Sequence, residues 1–149
     1  MQFFRLSVRA LALLSYAIWV GGFTFYGAVV LWSVHEAFGS LDSGKITQAI
    51  TVPLNWIGVA TLAVWALLAW LERAKQPKWA WWSLVAMIAV SSLLQVGLFI
   101  DHGILDRRLA EFGLEGFYAY HSVYLNISTF QWGVNLLMIP LVVWLWREA

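Results

Sequence analysis

Four apolar runs, each long enough to carry a helix across a lipid bilayer, constrain this chain more than any other feature. They extend from about Leu6 to Val34, Ile50 to Leu71, Trp79 to Ile100 and Phe117 to Trp146. A helix needs about 20 apolar residues to cross the hydrocarbon core. Backbone groups find no water there, so they must bond within the segment, and helix is the conformation that does this. No period-two alternation points to a barrel. Helices are therefore predicted at about 6–34, 50–71, 79–100 and 117–146, within one transmembrane domain spanning residues 1–149. The links Phe38–Lys45, Glu72–Lys78 and Asp101–Gly116 are short, and Gly39, Ser40, Asp42, Ser43 and Gly44 give the first a turn composition. Short links force antiparallel neighbours, so the expected fold is an all-α, up-down-up-down four-helix bundle. In the third link, Leu105, Leu109 and Phe112 recur at the spacing of a short surface helix.

Composition agrees. Hydrophobic residues make up 62% and charged residues 11% of the chain, against roughly 25% charged in ordinary soluble domains. Too little polar surface exists to coat a globule in water, and the expected solvent is the lipid bilayer. The eleven tryptophans gather near the ends of the runs, where indoles favour the headgroup layer. Arg5 and Arg9 ahead of an apolar stretch resemble a signal peptide, but the stretch continues through Trp32, so an uncleaved first span is expected. Arg5, Arg9, Arg73, Lys75, Lys78 and Arg147 fall on one side, and Lys45, Arg107 and Arg108 on the other. The positive-inside rule puts the first set, with both termini, in the cytoplasm. The compact form leans towards a bacterial inner membrane. A net charge of +1 argues against a nucleic-acid partner. The absence of cysteine excludes disulfides, thiolate metal sites and a cysteine nucleophile. No phosphate-binding loop, metalloprotease motif or nucleophile elbow occurs.

Polar side chains inside the runs are few and patterned. His121, Tyr124, Ser128, Gln131 and Asn135 recur at spacings of three and four, which places them on one stripe of the fourth helix. Ser122, Asn126 and Thr129 occupy another face. The third helix carries Ser91, Gln95 and His102, the second Thr51, Asn55, Gly58 and Thr61, and the first Ser15, Gly22 and Tyr26. Facing such stripes into lipid is costly, so they should converge inside the bundle. Two readings follow: hydrogen-bonded glue between helices, or a polar pocket that binds something. Gly21, Gly22 and Gly27 permit close helix approach. Pro53 falls near the start of the second span, and Pro140 inside the fourth, where it should kink the helix or free a carbonyl.

All three histidines belong to the half of the membrane opposite the termini. His35 ends the first span, His102 ends the third and His121 begins the fourth, with Glu36, Asp42, Asp101, Asp106, Glu111 and Glu115 nearby. Imidazole and carboxylate from different helices suit a metal site or a proton-responsive cluster. Haem b or copper are the cofactors such a site would take. Histidines solvated at helix ends are the plainer alternative. Asp101 and His102 are neighbours in sequence, so they do not share a helical face and form no motif.

Trp19-Val20-Gly21-Gly22-Phe23 in the first helix and Phe117-Tyr118-Ala119-Tyr120-His121-Ser122 opening the last resemble small four-helix membrane proteins of unknown function, the bacterial relatives of an animal transmembrane protein linked to drug resistance. That family tends to carry an asparagine about two turns after the histidine, where Ser128 stands here. A second likeness is to copper-resistance membrane domains of the D type, which also place histidines near outer helix ends. The leading functional expectation is a non-enzymatic inner-membrane protein, either an accessory subunit working with other membrane subunits or as a homo-oligomer, or a small-ligand binder. The alternative is a metal- or haem-binding subunit of a redox or transport system using His121 with His102 or His35. A proton-coupled carrier is disfavoured, because no ionisable residue lies near the midplane of a span.

Overall fold

A computed structural model describes the backbone of residues 2–147, and the side chains of these except at 2, 38–45, 48, 108–110 and 112–120. Four helices are long and apolar enough to cross a membrane: α1 (Phe3–Ala37), α2 (Ala49–Glu72), α3 (Lys78–Arg107) and α4 (His121–Arg147). Each is two to eight residues longer than the apolar run that marks it, except α4, whose described part opens at His121. Leu109 and Phe112, expected on a short surface helix, lie outside the described side chains, whereas Leu105 is buried on α3.

Helical backbone is assigned without a break from Leu31 to Glu72 and from Lys78 to Arg147. The expected turn around Gly39–Gly44 and the link Asp101–Gly116 therefore carry helical hydrogen bonding. The long runs are nonetheless folded back on themselves. Ser91 and Asn135 would be roughly 66 Å apart on one straight helix, yet their side chains are hydrogen bonded at 2.9 Å.

Contacts fix how the helices lie together. Between α1 and α2 they run from Arg9–Glu72 through Ser15–Thr61 to Gly22–Leu54, one number rising as the other falls. Between α3 and α4 they run from Trp79–Trp144 through Ser91–Asn135 to Gly97–Ile127. Helices adjacent in sequence are thus packed side by side as a bundle. The two ends differ, and we refer to them as the Arg9 end and the His121 end.

The main apolar core fills the Arg9 half. Ala12, Trp19, Leu62, Trp65, Leu68 and Met138 are among its members, drawn from α1, α2 and α4, with Leu84 and Ile88 from α3. A small satellite of Leu98, Leu105 and Tyr124 sits towards the His121 end. The outward faces carry Leu14, Phe25, Trp56, Leu93, Phe130, Leu137 and Val143, all exposed. Apolar side chains on the outer faces, with the polar ones kept inside beside the apolar core, are what a hydrocarbon solvent selects.

Two local features bear on function. Pro53 and Pro140 both lie inside helices, and α1 is interrupted by a π-helical stretch, Tyr26–Val30. Such bulges are frequent at functional sites. Tyr26 is the buried residue of this one.

Candidate functional site

The polar residues expected inside the bundle are there, in two layers. Gln131 anchors the central layer from α4. Its Nε2 donates to Gln95 Oε1 and to the Ser91 carbonyl on α3, each at 3.0 Å. One turn on, Asn135 Oδ1 accepts from Ser91 Oγ, and the Asn135 backbone carbonyl accepts from the Tyr16 hydroxyl of α1. Thr61 Oγ1 of α2 donates to the Ser15 carbonyl at 3.2 Å. Gln95, Gln131 and Asn135 are all buried. Spacings of three and four put one polar group per turn on the inward stripe, and the partners on facing helices follow the same rule. Single side-chain bonds in membranes average only ~0.6 kcal/mol, and here several join the facing helices.

Near the His121 end the chemistry changes. Asn55 Nδ2 of α2 donates to the Tyr124 hydroxyl of α4 at 3.1 Å. Thr51 and Ser128 face the same hydroxyl. His121 stacks parallel to the Tyr124 ring, with centroids 6.4 Å apart, and His102 of α3 approaches that ring from another side at 6.5 Å. Asp101 lies within electrostatic reach of both imidazoles. It is only 6% exposed, and its Oδ2 has no hydrogen-bond partner among the described residues. His102 Nε2 also lies 3.7 Å from Asp106 Oδ2, one helical turn further on.

This corrects the sequence reading at Asp101. The residue was expected in a connection, because the apolar run ends at Ile100. It instead belongs to α3, which continues through Arg107, and it points inward. His121, on another helix, lies within electrostatic reach of its carboxylate.

His35 is exposed at the end of α1, whereas His102 and His121 are brought together around Asp101 and Tyr124. Among the described residues, no group of three histidine, aspartate or glutamate side chains is arranged to hold a metal ion. Ser122, Asn126 and Thr129, the second polar set of α4, are exposed, so the two sets lie on different faces.

A cavity of about 130 Å³ opens beside this cluster, between α1, the start of α2 and α4. Tyr26, Thr47, Thr51, His121, Tyr124 and Ser128 are among the residues that line it. Phe23, Leu31 and Leu125 supply apolar surface. Gly27 and Thr129, both exposed, stand at its rim. The π-helical stretch therefore places two of its residues, Tyr26 and Gly27, on the cavity. Sequence reasoning had Tyr26, His121 and Tyr124 as polar interior but not Phe23, Thr47 or Gly27 as a wall. Only the packing of α1 against α4 joins them.

Replacing Tyr124 with phenylalanine removes the acceptor of Asn55 Nδ2 and leaves that buried amide short of a partner. The expected loss is about 1 kcal/mol, measured as a lowered thermal midpoint in detergent. Asn55→Leu in the same background should restore part of it.

A second buried polar cluster, which no spacing in the sequence marks, lies at the Arg9 end. Arg9 Nη2 of α1 donates to Glu72 Oε2 at 2.8 Å, and Glu72 is 4% exposed. The Arg9 guanidinium also lies 5.7 Å from the centroid of the Trp146 ring. Arg9 thus links three helices at that end, through one ion pair and one cation–aromatic contact.

Fold and site define a class: an all-α bundle of four candidate membrane spans with a hydrogen-bonded polar interior and a cavity at one end. No protein-family model, characterised protein or solved structure matches this chain.

Proposed function

We propose that this is a non-enzymatic, multi-pass protein of the bacterial inner membrane, with both termini cytoplasmic, that binds a small molecule in the cavity at its His121 end. The observation that carries the reading is the cavity itself. α1, α4 and the start of α2 converge on it with residues that carry hydroxyl or imidazole groups. Small-ligand sites commonly combine apolar walls with a few placed polar groups.

Lys and Arg distribution supports the orientation. Arg5, Arg9, Arg73, Lys75, Lys78 and Arg147 all belong to the Arg9 end of the bundle, which puts the cavity on the outer side. Reporter fusions check this: a cytoplasmically active reporter should work at both termini and fail when inserted at Gly113. Activity at Gly113 with silence at the termini would reverse the orientation.

Binding is tested by native mass spectrometry of the protein released from its own membranes. A small-molecule adduct is expected, and it should be lost in Gly27→Phe. Finding no adduct on the unmodified chain counts against the reading.

The accessory-subunit role has support of its own in the exposed line Ser122, Asn126 and Thr129 on α4. Lipid alone would leave these groups unpaired, whereas another membrane subunit or a second copy would not.

A metal- or haem-binding reading draws on His102 and His121, which both lie within electrostatic reach of Asp101. Its test is an absorption spectrum with metal analysis. A Soret band or stoichiometric copper lost in His121→Ala would favour it over the small-molecule site.

A further inference from the structure

The outward face of α4 carries three polar side chains that the bundle does not use. Ser122, Asn126 and Thr129 are exposed, and all three lie within the span His121–Arg147. Among the described residues, none of the three side chains is hydrogen bonded. Hydroxyls elsewhere on the helices behave differently. Those of Thr24 on α1 and of Ser83 and Ser92 on α3 each donate to the carbonyl four residues back. A serine or threonine bonded in this way is satisfied without a neighbour. An unpaired amide or hydroxyl in hydrocarbon is costly, so the line on α4 calls for a partner that bonds it.

Spacing sets the shape of that partner. Steps of four and three residues keep the side chains on one line, and their average of 3.5 is the repeat by which one helix follows another in a left-handed pair. From Ser122 to Thr129 the line covers about 10 Å of helix, which suits the crossing of a single neighbouring helix.

Depth and chemistry set its identity. The Lys and Arg bias inserts every copy of a chain the same way round. Two copies related by a two-fold axis along the membrane normal therefore present α4 to α4 in parallel, with each residue at the depth of its own counterpart. Groups that meet their own copies must both donate and accept, as amides and hydroxyls do. The line holds no charged residue that would repel its counterpart. An asparagine in a helix seam can also fix register and oligomeric state. An unrelated subunit would need polar groups of its own at matching depths, whereas a second copy has them by symmetry.

Resting on the reading of this line as an interaction face, we propose that it joins two copies of the chain in a parallel, two-fold dimer, with the Asn126 amides paired across the axis.

The test uses the full-length chain in phosphatidylcholine bilayers. It has no native cysteine, so single cysteines report their neighbours without interference. On brief oxidation, Ser122→Cys and Thr129→Cys should form disulfide-linked dimers. Val96→Cys should stay monomeric. Val96 is 56% exposed on α3, and its neighbour Gly97 packs against Ile127, so it lies close to the same depth. Asn126→Leu added to Thr129→Cys should cut the linked fraction, and energy transfer between labelled copies should show dissociation about tenfold easier. The variant should keep its helical circular dichroism, because Asn126 makes no bond inside the bundle. Asn126→Gln, with the same donors and acceptor, should retain the dimer.

Equal linking at Val96→Cys, or linking and dissociation indifferent to Asn126→Leu, would overturn the proposal. A photoactivatable label on Thr129→Cys in the protein's own membranes separates the face from its occupant. Attachment to a chain of different mass, without linked dimers in bilayers, removes the second copy and leaves the line as an interface. Absence of any attached chain in either setting removes the interface as well.

Discussion

Gly58→Ala should destabilise the bundle by about 2 kcal/mol, although the same exchange in an exposed helix would stabilise it. Alanine is the better helix former by about 1 kcal/mol. At this position, however, a Cβ would lie 2.6 Å from Trp19 Cε2, 2.7 Å from Trp19 Nε1 and 2.8 Å from Gln95 Oε1. The first two atoms belong to a rigid ring that is 4% exposed and locked into the main core. The third already accepts a hydrogen bond from Gln131 at 3.0 Å. Overpacking of this kind typically costs about 1–3 kcal/mol, and pushing Gln95 aside adds the loss of its bond to Gln131. The combined cost exceeds the propensity gain. Gly58→Val should be worse, since its branch adds volume against the same ring. The check is thermal unfolding in detergent, followed by circular dichroism. A double mutant with Trp19→Leu isolates the mechanism: if the clash with the indole is the cause, the pair should be less destabilised than the sum of the singles. Simple additivity would place the cost elsewhere.

The second large effect is expected at the opposite end of the molecule, and its asymmetry is informative. Arg9→Ala leaves the Glu72 carboxylate inside the bundle with no cation opposite Oε2 among the described residues, where Glu72 Oε1 already lacks a hydrogen-bond partner. Breaking a buried pair from one side generally costs about 3–5 kcal/mol. The Arg9 side chain is a quarter exposed, at 25%, so solvent screening brings the expected loss to about 2–3 kcal/mol. Loss of the contact with Trp146 contributes as well. Glu72→Ala should be milder, because a long guanidinium side chain can extend towards the membrane surface. Replacing both, as Arg9→Met with Glu72→Leu, should recover much of the loss. Thermal midpoints of the three variants give the ranking, and a Glu72→Ala as damaging as Arg9→Ala would contradict this account of the site.

The two largest effects fall at positions that differ in how far sequence could indicate them. Gly58 belonged to the polar, small-residue face of the second run, and its helical spacing with Asn55 and Thr61 already pointed it inward. The inward stripe of the fourth run was likewise readable. Tyr124, Ser128, Gln131 and Asn135 are all buried, and so are Gln95, Asn55 and Ser91 opposite them. Periodicity carries this information because a lipid solvent leaves polar groups one place to go. Glu72 and Asp101 were assigned to connections instead. Apolar runs end at the first charge, whereas helices continue past it, and whether that charge turns inward depends on a partner distant in sequence. Arg9 is 63 residues from Glu72, and no local pattern links them. The cavity was hidden for the same reason. Its wall joins Phe23, Thr47 and His121 from three helices, and the π-helical stretch that presents Tyr26 and Gly27 has no spacing signature of its own.

The most direct test is a nitroxide scan along α4 in lipid bilayers, which the absence of native cysteine makes clean. Labels replacing Phe130, Leu137 and Val143, each more than 60% exposed, should collide readily with dissolved oxygen and barely with a water-soluble relaxant. Labels at Gln131 and Asn135 should be shielded from both. Equal oxygen access at Gln131 and Leu137, or water access at Leu137, would contradict a polar interior enclosed by hydrocarbon.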